Sequence, residues 1–460
     1  MNLIATNPFD QETVAEFPFE TEVSLNEKLN QAQLAFQKWR KKTLTERIRI
    51  VEQGLEKIRQ AEEEIVQNVT RQMGKPLGQA RGEFLTMFDR AATCIELAPA
   101  ALADDVLPDK PNFQRRIVHE PLGVVLDIAA WNYPLVIPIN VIVPALLAGN
   151  TVLIKHSAKT PLCGVAFEDA FGALEVPNLV TNVILNHQQT EELIADDRIN
   201  HVSFTGSVEG GRVIYRHVAE RLIDAGLELG GNDAAYVAAD ADLDFAVANI
   251  VDGATYNAGQ SCCAVERVYV HETVYDAFVD KALELMQGFQ LGDPTAEGTT
   301  MGPLASRAAL EELEKQVQDA VDRGAKLLCG GTRVSGSTGN FFSPTLLSDC
   351  PQDSVVMQEE SFGPLLPVTK VASDEEALTK MNDSRFGLTA SVWSADVERV
   401  EKMAADLQVG TIFQNRCDYL DPALPWTGWG ESGLGSTLSQ YGFFHLTQRK
   451  AIHFRTDLES

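Results

Sequence analysis

Residues 123–155 read GVVLDIAAWNYPLVIPINVIVPALLAGNTVLIK, and this stretch decides the fold. Its first eight residues, 123–130, are a continuous apolar run of strand length, and 151–155 is a second. Between them stand Pro134, Pro138, Asn140, Pro144 and the pair Gly149-Asn150. The length would permit a membrane span. Prolines every few residues and a Gly-Asn turn fit a buried helix running into a buried strand better. Strands apolar on both faces, joined through a helix, predict a parallel sheet covered on both sides.

The same alternation extends outward. Downstream, 179–185 and 200–205 read as further strands. After Gly230-Gly231 the pattern restarts with strands at 233–237 and 265–270, and helices at 242–256, 272–287 and 308–323, the last ended by Gly324. Further strands are predicted at 325–328, 367–371, 390–393 and 410–414. Upstream, 24–72 and 76–101 read as helical, with Ser24 and Glu27 at capping spacing. The segment 115–120 reads as extended, and so does 451–455, an extended tail of the kind that adds to a sheet edge. The chain therefore divides into two α/β units in tandem, the first ending near Gly230-Gly231.

Composition sets the exclusions. The 460 residues hold two to four domains' worth of chain, and 45% hydrophobic residues supply a core. Lys and Arg number 38 against 65 Asp and Glu, a net charge of −27. That field repels polyanions, so nucleic acid is not an expected partner. Seven cysteines in a chain of this length do not make a disulfide scaffold. The N-terminus, MNLIATNPFDQETVAEF, has neither a basic nor an apolar region of a secretion signal, which predicts a cytoplasmic, non-membrane protein.

The most literal cofactor motif misleads. Gly428-Trp429-Gly430-Glu431-Ser432-Gly433 matches G-x-G-x-x-G, yet no strand–helix–strand unit follows, so it reads as a glycine-rich surface turn. Four other stretches carry chemistry. Asn257-Ala258-Gly259-Gln260-Ser261-Cys262-Cys263 puts a thiol among loop amides just before a strand, a setting for a nucleophile, although a free cysteine is usually a small buried hydrophobe. Glu228-Leu229-Gly230-Gly231-Asn232 offers a carboxylate, which alone reads as a solvated charge. Trp131-Asn132-Tyr133-Pro134 follows a strand and could simply shape a turn. The run 204–211, FTGSVEGG, leads from a strand into a helix and can present backbone amides to an anion.

Taken together and in this order, the chain resembles the aldehyde dehydrogenase superfamily of NAD(P)-dependent oxidoreductases over essentially its whole length. The carriers are AWNYPL (130–135), VLIK (152–155), FTGSVEGG (204–211), ELGGND (228–233), NAGQSC (257–262), EESFGP (359–364) and PWTG (425–428). The resemblance implies a Rossmann-like cofactor domain (1–102 and 123–230), an α/β catalytic domain (231–429) and a small β oligomerisation arm (103–122 and 430–460). It implies Cys262 as nucleophile, Glu228 as general base and Asn132 as oxyanion donor, with Cys263 structural. It places NAD+ or NADP+, and no metal, against Trp131, Lys155, Gly206, Ser207, Gly211, Leu229, Glu360 and Phe362. In many NAD-preferring members an acid stands three positions after the lysine. Here that position is Ala158, flanked by His156 and Lys159 as two potentially cationic groups, so NADP+ is expected to be accepted. The substrate entrance falls on Tyr133, Arg416 and Trp426. Trp426 could wall an apolar tunnel, and Arg416 could meet an anionic tail such as that of succinate semialdehyde, or be a solvated or interface charge. The expected partners are a small aldehyde and a second copy of the chain, as a homodimer or homotetramer.

Three rival readings follow. A coenzyme-A-acylating enzyme needs no base for water, and the presence of Glu228 favours hydrolysis. A non-catalytic relative would tend to lose Cys262 or Glu228. A cysteine hydrolase would want a histidine beside the thiol; of eight histidines the nearest in sequence is His271.

Overall fold

A computed structural model describes residues 2–457. Two open parallel sheets organise it. The first runs, in spatial order, Gly433–Leu434, Asp224–Glu228, Ile199–Thr205, Val124–Ala129, Thr151–His156 and Val180–Asn182; only the short edge piece Gly433–Leu434 is antiparallel. The second runs Lys326–Cys329, Thr345–Ser348, Leu365–Val371, Val265–His271, Asp233–Val237, Thr389–Trp393 and Thr411–Gln414, again parallel except at its first edge.

The stretch that opened the sequence forms the centre of the first sheet. Val124–Ala129 is buried at every position, the helix Val136–Ala148 likewise, and Gly149 ends that helix in the left-handed conformation at φ 98° before Thr151–His156 begins. Among the described residues no helix is long and apolar enough to cross a membrane. The first strand of this sheet lies inside it, so the chain winds outward through Thr151–His156 and Val180–Asn182, then returns to the other side with Ile199–Thr205. The crevice between Val124–Ala129 and Ile199–Thr205, at their carboxyl ends, is the switch point where such sheets bind ligands.

The region 24–72 is three helices rather than one: Glu22–Trp39, Leu44–Gln60 and Glu62–Met73. Thr21, not Ser24, is the first cap, and Thr43 with Glu46 forms a reciprocal capping box that starts the second. Four strands were illegible in the sequence: Thr345–Ser348, Asp224–Glu228, and the N-terminal hairpin pair Asn2–Thr6 and Thr13–Pro18. The run 179–185 shortens to Val180–Asn182. A third sheet pairs Thr447–Arg455 with Phe113–Pro121, and that strand with Asp105–Val106. Gly433–Leu434, in the same C-terminal segment, edges the first sheet instead. The outermost residues of the predicted segments, 1 and 458–460, lie outside the described residues.

The turn at 428–433 braces the first sheet. Trp429–Gly430 pairs with Phe386–Gly387, and Gly433–Leu434 pairs with the end of Asp224–Glu228. Glu431 accepts from Arg212 and Arg385.

Candidate active site

The chain leaves the first sheet at Glu228 and enters the second at Asp233. The carboxyl ends of the first sheet thus face the amino ends of the second, and three loops meet there.

The first loop follows Val124–Ala129. Asn132 is buried, and its Nδ2 donates to the Gln260 carbonyl at 3.2 Å. The loop is fixed from beneath by Glu83, which accepts from the Leu135 amide at 2.8 Å and pairs with Lys75 Nζ at 2.5 Å. The Lys75 ammonium lies 4.1 Å from the Tyr133 ring centre. Both charges of this pair are buried, so removing one would strand the other and loosen the loop that carries Asn132.

The second loop leaves the helix Leu243–Thr255 through a tight turn. Asn257, Ala258 and Gly259 are all left-handed, at φ 54°, 56° and 73°. Only glycine adopts this without strain. A Cβ at Gly259 would also stand 2.2 Å from the Gly363 carbonyl. The Asn257 side chain clamps the turn to the first loop, donating to the carbonyls of Asn132 and Gln260 at 3.1 Å each. Gln260 accepts from the Ala305 amide at 2.9 Å. Cys262 and Asn132 are therefore held to one another through a shared carbonyl. Cys262 is half-buried, while Cys263 is buried with its sulfur 3.1 Å from Asp418 Oδ1, which also accepts from Ser261 at 2.8 Å. Burial pushes Asp418 up to about 7.

The third loop carries Glu228. Thr437 Oγ1 donates to one carboxylate oxygen and Thr205 Oγ1 to the other, the latter at 3.3 Å. Burial raises this carboxyl, against the pull of the Thr437 hydrogen bond and the Arg90 charge. Gly231 follows, and a Cβ there would lie 2.2 Å from the Cys262 carbonyl. The two loops fit only because Gly231 has no side chain. Gly231→Ala is expected to displace Cys262 and lower kcat/KM at least about tenfold, with destabilisation of about 1–3 kcal/mol. Steady-state rates and a thermal melt check it; an unchanged rate would show that the loops yield without moving the thiol.

These loops enclose a cavity of about 320 Å³ lined by Cys262, Glu228, Thr205, Tyr133, Asn140 and Trp426 among others. That is the size class of a small-molecule site. Trp426 is buried against Cys263 and Leu388 and closes one wall. Arg416 is not on that wall. Its guanidinium stacks on Tyr419, 3.3 Å from the ring centre, while Cys417, Asp418, Tyr419 and Leu420 do line the cavity.

The residues predicted for a dinucleotide lie along the switch point. Trp131 and Phe362 meet edge to face at 5.5 Å, and Lys159 Nζ sits 4.2 Å from the Trp131 ring centre. Ser207 caps the helix Val208–Arg221 by accepting from the Gly210 amide at 3.2 Å. The Gly206 amide donates to the Glu228 carbonyl, so this helix start is tied to the Glu228 strand. Leu229 packs on Gly211, where a Cβ would come within 2.5 Å of its side chain. Glu360 accepts from the Gly231 amide at 2.9 Å and is raised by burial and by Glu266. Lys155 and Lys159 are both lowered by burial alone, with no carboxylate offsetting it. Two sunken lysines without anionic partners, beside a capped helix start at a switch point, fit an anionic dinucleotide. One expectation fails: His156 is not a cation. It is buried between the Pro134 carbonyl and Thr160, each at 3.0 Å, and burial draws it down to about 4.

Several site residues were missed in the sequence. Glu83 and Arg90 lie seven apart on the helix Leu77–Ala101, beside its buried residues Phe84, Met87 and Ala91. Charges on the apolar face of a helix were the available signal. Lys75, Asp418 and Thr437 carried none.

The aldehyde dehydrogenase family model matches residues 2–452. Among characterised relatives, the NADP+-dependent succinate-semialdehyde dehydrogenase of Deinococcus radiodurans is 35% identical over 447 residues, covering 97% of this chain and 93% of the relative. The glutarate-semialdehyde dehydrogenase of Pseudomonas putida is 32% identical over 439 residues, covering 95% and 91%. Among solved structures, the succinic semialdehyde dehydrogenase of Streptococcus pyogenes in complex with NADP+ superposes with a TM-score of 0.94 at 31% identity, covering 98% of this chain and 100% of that one.

Proposed function

The chain belongs to the aldehyde dehydrogenase family and oxidises aldehydes with NAD(P)+, and we propose that Cys262, Glu228 and Asn132 carry that reaction on a small semialdehyde. The observation that carries this reading is one cavity faced by both the Cys262 thiol and the Glu228 carboxylate, each half-buried, with Asn132 joined to the Cys262 loop.

The Cys262 thiolate adds to the aldehyde carbon. The oxyanion forms where the Cys262 backbone N–H and the second Nδ2 proton of Asn132 can donate, the first being committed to Gln260. A dinucleotide held here would supply the hydride acceptor, and loss of hydride from the carbon bonded to Cys262 leaves a thioester on that sulfur. Glu228 then takes a proton from the water that attacks this thioester, and the carboxylic acid leaves with the thiol restored. Trp131, Lys155, Gly206, Ser207, Gly211, Leu229, Glu360 and Phe362 hold the cofactor in this reading.

The test is a panel of aldehydes assayed by absorbance of the reduced cofactor. Succinate or glutarate semialdehyde is expected to give the highest kcat/KM; a better neutral aldehyde would remove the semialdehyde assignment while leaving the dehydrogenase. The names of two relatives and the cavity size support that class. NADP+ is expected to be used at least within tenfold of NAD+, because Ala158 is exposed beside Lys155 and Lys159 where an acid would repel a 2′-phosphate. NAD+ favoured by more than about a hundredfold, ~2.7 kcal/mol, would sink that expectation.

The division into cofactor, catalytic and arm segments follows the three larger sheets, except that Gly433–Leu434 of the arm segment edges the first sheet. The strands Phe113–Pro121 and Thr447–Arg455, with exposed Val106 and Phe454, suit pairing with a second copy of the chain, as a homodimer or homotetramer in the cytoplasm.

A further inference from the structure

Arg90 is a buried charge with no protein group hydrogen-bonded or ion-paired to it among the described residues, although its field reaches Glu228 and lowers that carboxyl against the effect of burial. It projects from the middle of the helix Leu77–Ala101 and is 9% exposed; its buried Nε is unsatisfied. Among the described residues lining the cavity with Cys262 and Glu228, it is the only lysine, arginine or histidine. Three of the four carboxylates lining it are otherwise engaged, and the fourth, Asp252, makes no ion pair with Arg90. Glu83 is bound to Lys75 and the Leu135 amide, Glu228 to Thr205 and Thr437, and Asp418 to Ser261 and Cys263. Asn140 lines the same cavity and the smaller one that opens beside Arg90, and its buried Oδ1 also lacks a partner. An isolated buried cation costs several kcal/mol. A fold that keeps one in a ligand cavity recovers that cost when the ligand supplies the anion, and a guanidinium matches a carboxylate through two parallel hydrogen bonds.

We propose that Arg90 anchors the distal carboxylate of an ω-carboxy aldehyde whose carbonyl lies at Cys262. This rests on the semialdehyde reading above and assigns the specificity to a residue of the helix rather than to Arg416 in the 414–420 loop. Arg90 holds the far end of the substrate, so it sets KM and the choice of aldehyde, while the reacting carbon stays with Cys262 and Asn132.

The experiment compares Arg90→Gln, Arg90→Lys and Asn140→Asp with the wild-type enzyme on succinate semialdehyde and on pentanal, with melting curves for each. Arg90→Gln is expected to lower kcat/KM for succinate semialdehyde about a hundredfold, mostly through KM, and to change pentanal less than about threefold. Arg90→Lys keeps the charge but loses the fork, and should recover about tenfold of that loss. Asn140→Asp places a competing carboxylate on the same wall, and should selectively weaken succinate semialdehyde by at least tenfold; it keeps the test open if Arg90→Gln does not fold. Equal losses on both aldehydes, with a shifted pH profile, would mean that Arg90 acts on Glu228 and would overturn the anchor. A wild-type preference for succinate semialdehyde that survives in Arg90→Gln would also overturn it, leaving the semialdehyde reading intact. A wild-type enzyme that uses pentanal equally well would overturn that reading and the anchor with it.

Discussion

Cys262→Ala is expected to lower kcat on the order of 10⁴- to 10⁶-fold, to the range left when a covalent nucleophile is removed. The protein should still fold and bind cofactor, because Cys262 makes few of the contacts that shape its loop. Those come from Asn257, Gln260 and Gly259, and from Cys263 with Asp418. The variant therefore separates chemistry from structure: a melt close to wild type and an unchanged cofactor dissociation constant should accompany the loss. Alkylation provides an independent measure. The other six thiols are pushed up: Cys263 by its hydrogen bond with Cys262 and by burial, Cys350 to about 12 by burial, and Cys94, Cys163, Cys329 and Cys417 by burial as well. A thiol held up in this way is a poor nucleophile at neutral pH. Iodoacetamide at neutral pH should accordingly label one residue of seven, Cys262, with loss of activity in step. Labelling that falls first on another cysteine, or activity that persists in Cys262→Ala, would remove the nucleophile assignment. Cys263→Ala, by contrast, should keep most activity and lose stability.

What made this site legible was its position on loops where the backbone has no freedom. Gly231 must pass under the Cys262 carbonyl, and Gly259 must be left-handed against Gly363, so the residues around Glu228 and Cys262 form short, ordered strings that read as motifs. Val124–Ala129 and Val136–Ala148 were legible for a different reason. Full burial leaves almost only apolar residues, Asp127 and Asn140 apart, and the prolines and Gly149 mark the breaks. The failures have physical causes too. Asp224–Glu228 reads DAGLE, with little strand propensity, and is extended because Ile199–Thr205 and Gly433–Leu434 pair with it on either side. His156 looked cationic because its sequence neighbours are polar, but the strand turns it inward to the Pro134 carbonyl. Arg90 is one of 38 basic residues and was not singled out in the sequence. Its setting shows locally only as a charge among the buried residues of its helix, while the cavity it faces is completed by residues distant in sequence.

Glu228→Gln is expected to split the reaction in two. Acylation needs the thiol, the Asn132 amide and the cofactor, and none of these is altered. A burst of about one reduced cofactor per active site should therefore remain. Deacylation needs a base for water, and steady-state turnover should fall about 10²- to 10⁴-fold. The acyl group should then accumulate on Cys262, visible as a mass increase on the peptide that contains it, and an added thiol or hydroxylamine should discharge it without help from Glu228. Loss of the burst as well would show instead that Glu228 deprotonates Cys262 first. The pH dependence carries a sign that follows from the site. The base must be ionised to act, and burial raises this carboxyl above its ordinary 4.5. Turnover should thus climb as pH rises through a limb placed above 4.5, and that limb should vanish in Glu228→Gln. The hydrogen bond from Thr437 opposes burial by stabilising the carboxylate. Thr437→Val should move the same limb to higher pH, so that the variant loses most at acidic pH and recovers as pH rises. A limb that stays in place when Thr437 is replaced, and persists when Glu228 is glutamine, would belong to another group, for which the buried Asp418, held near 7, is the nearest candidate on the same wall.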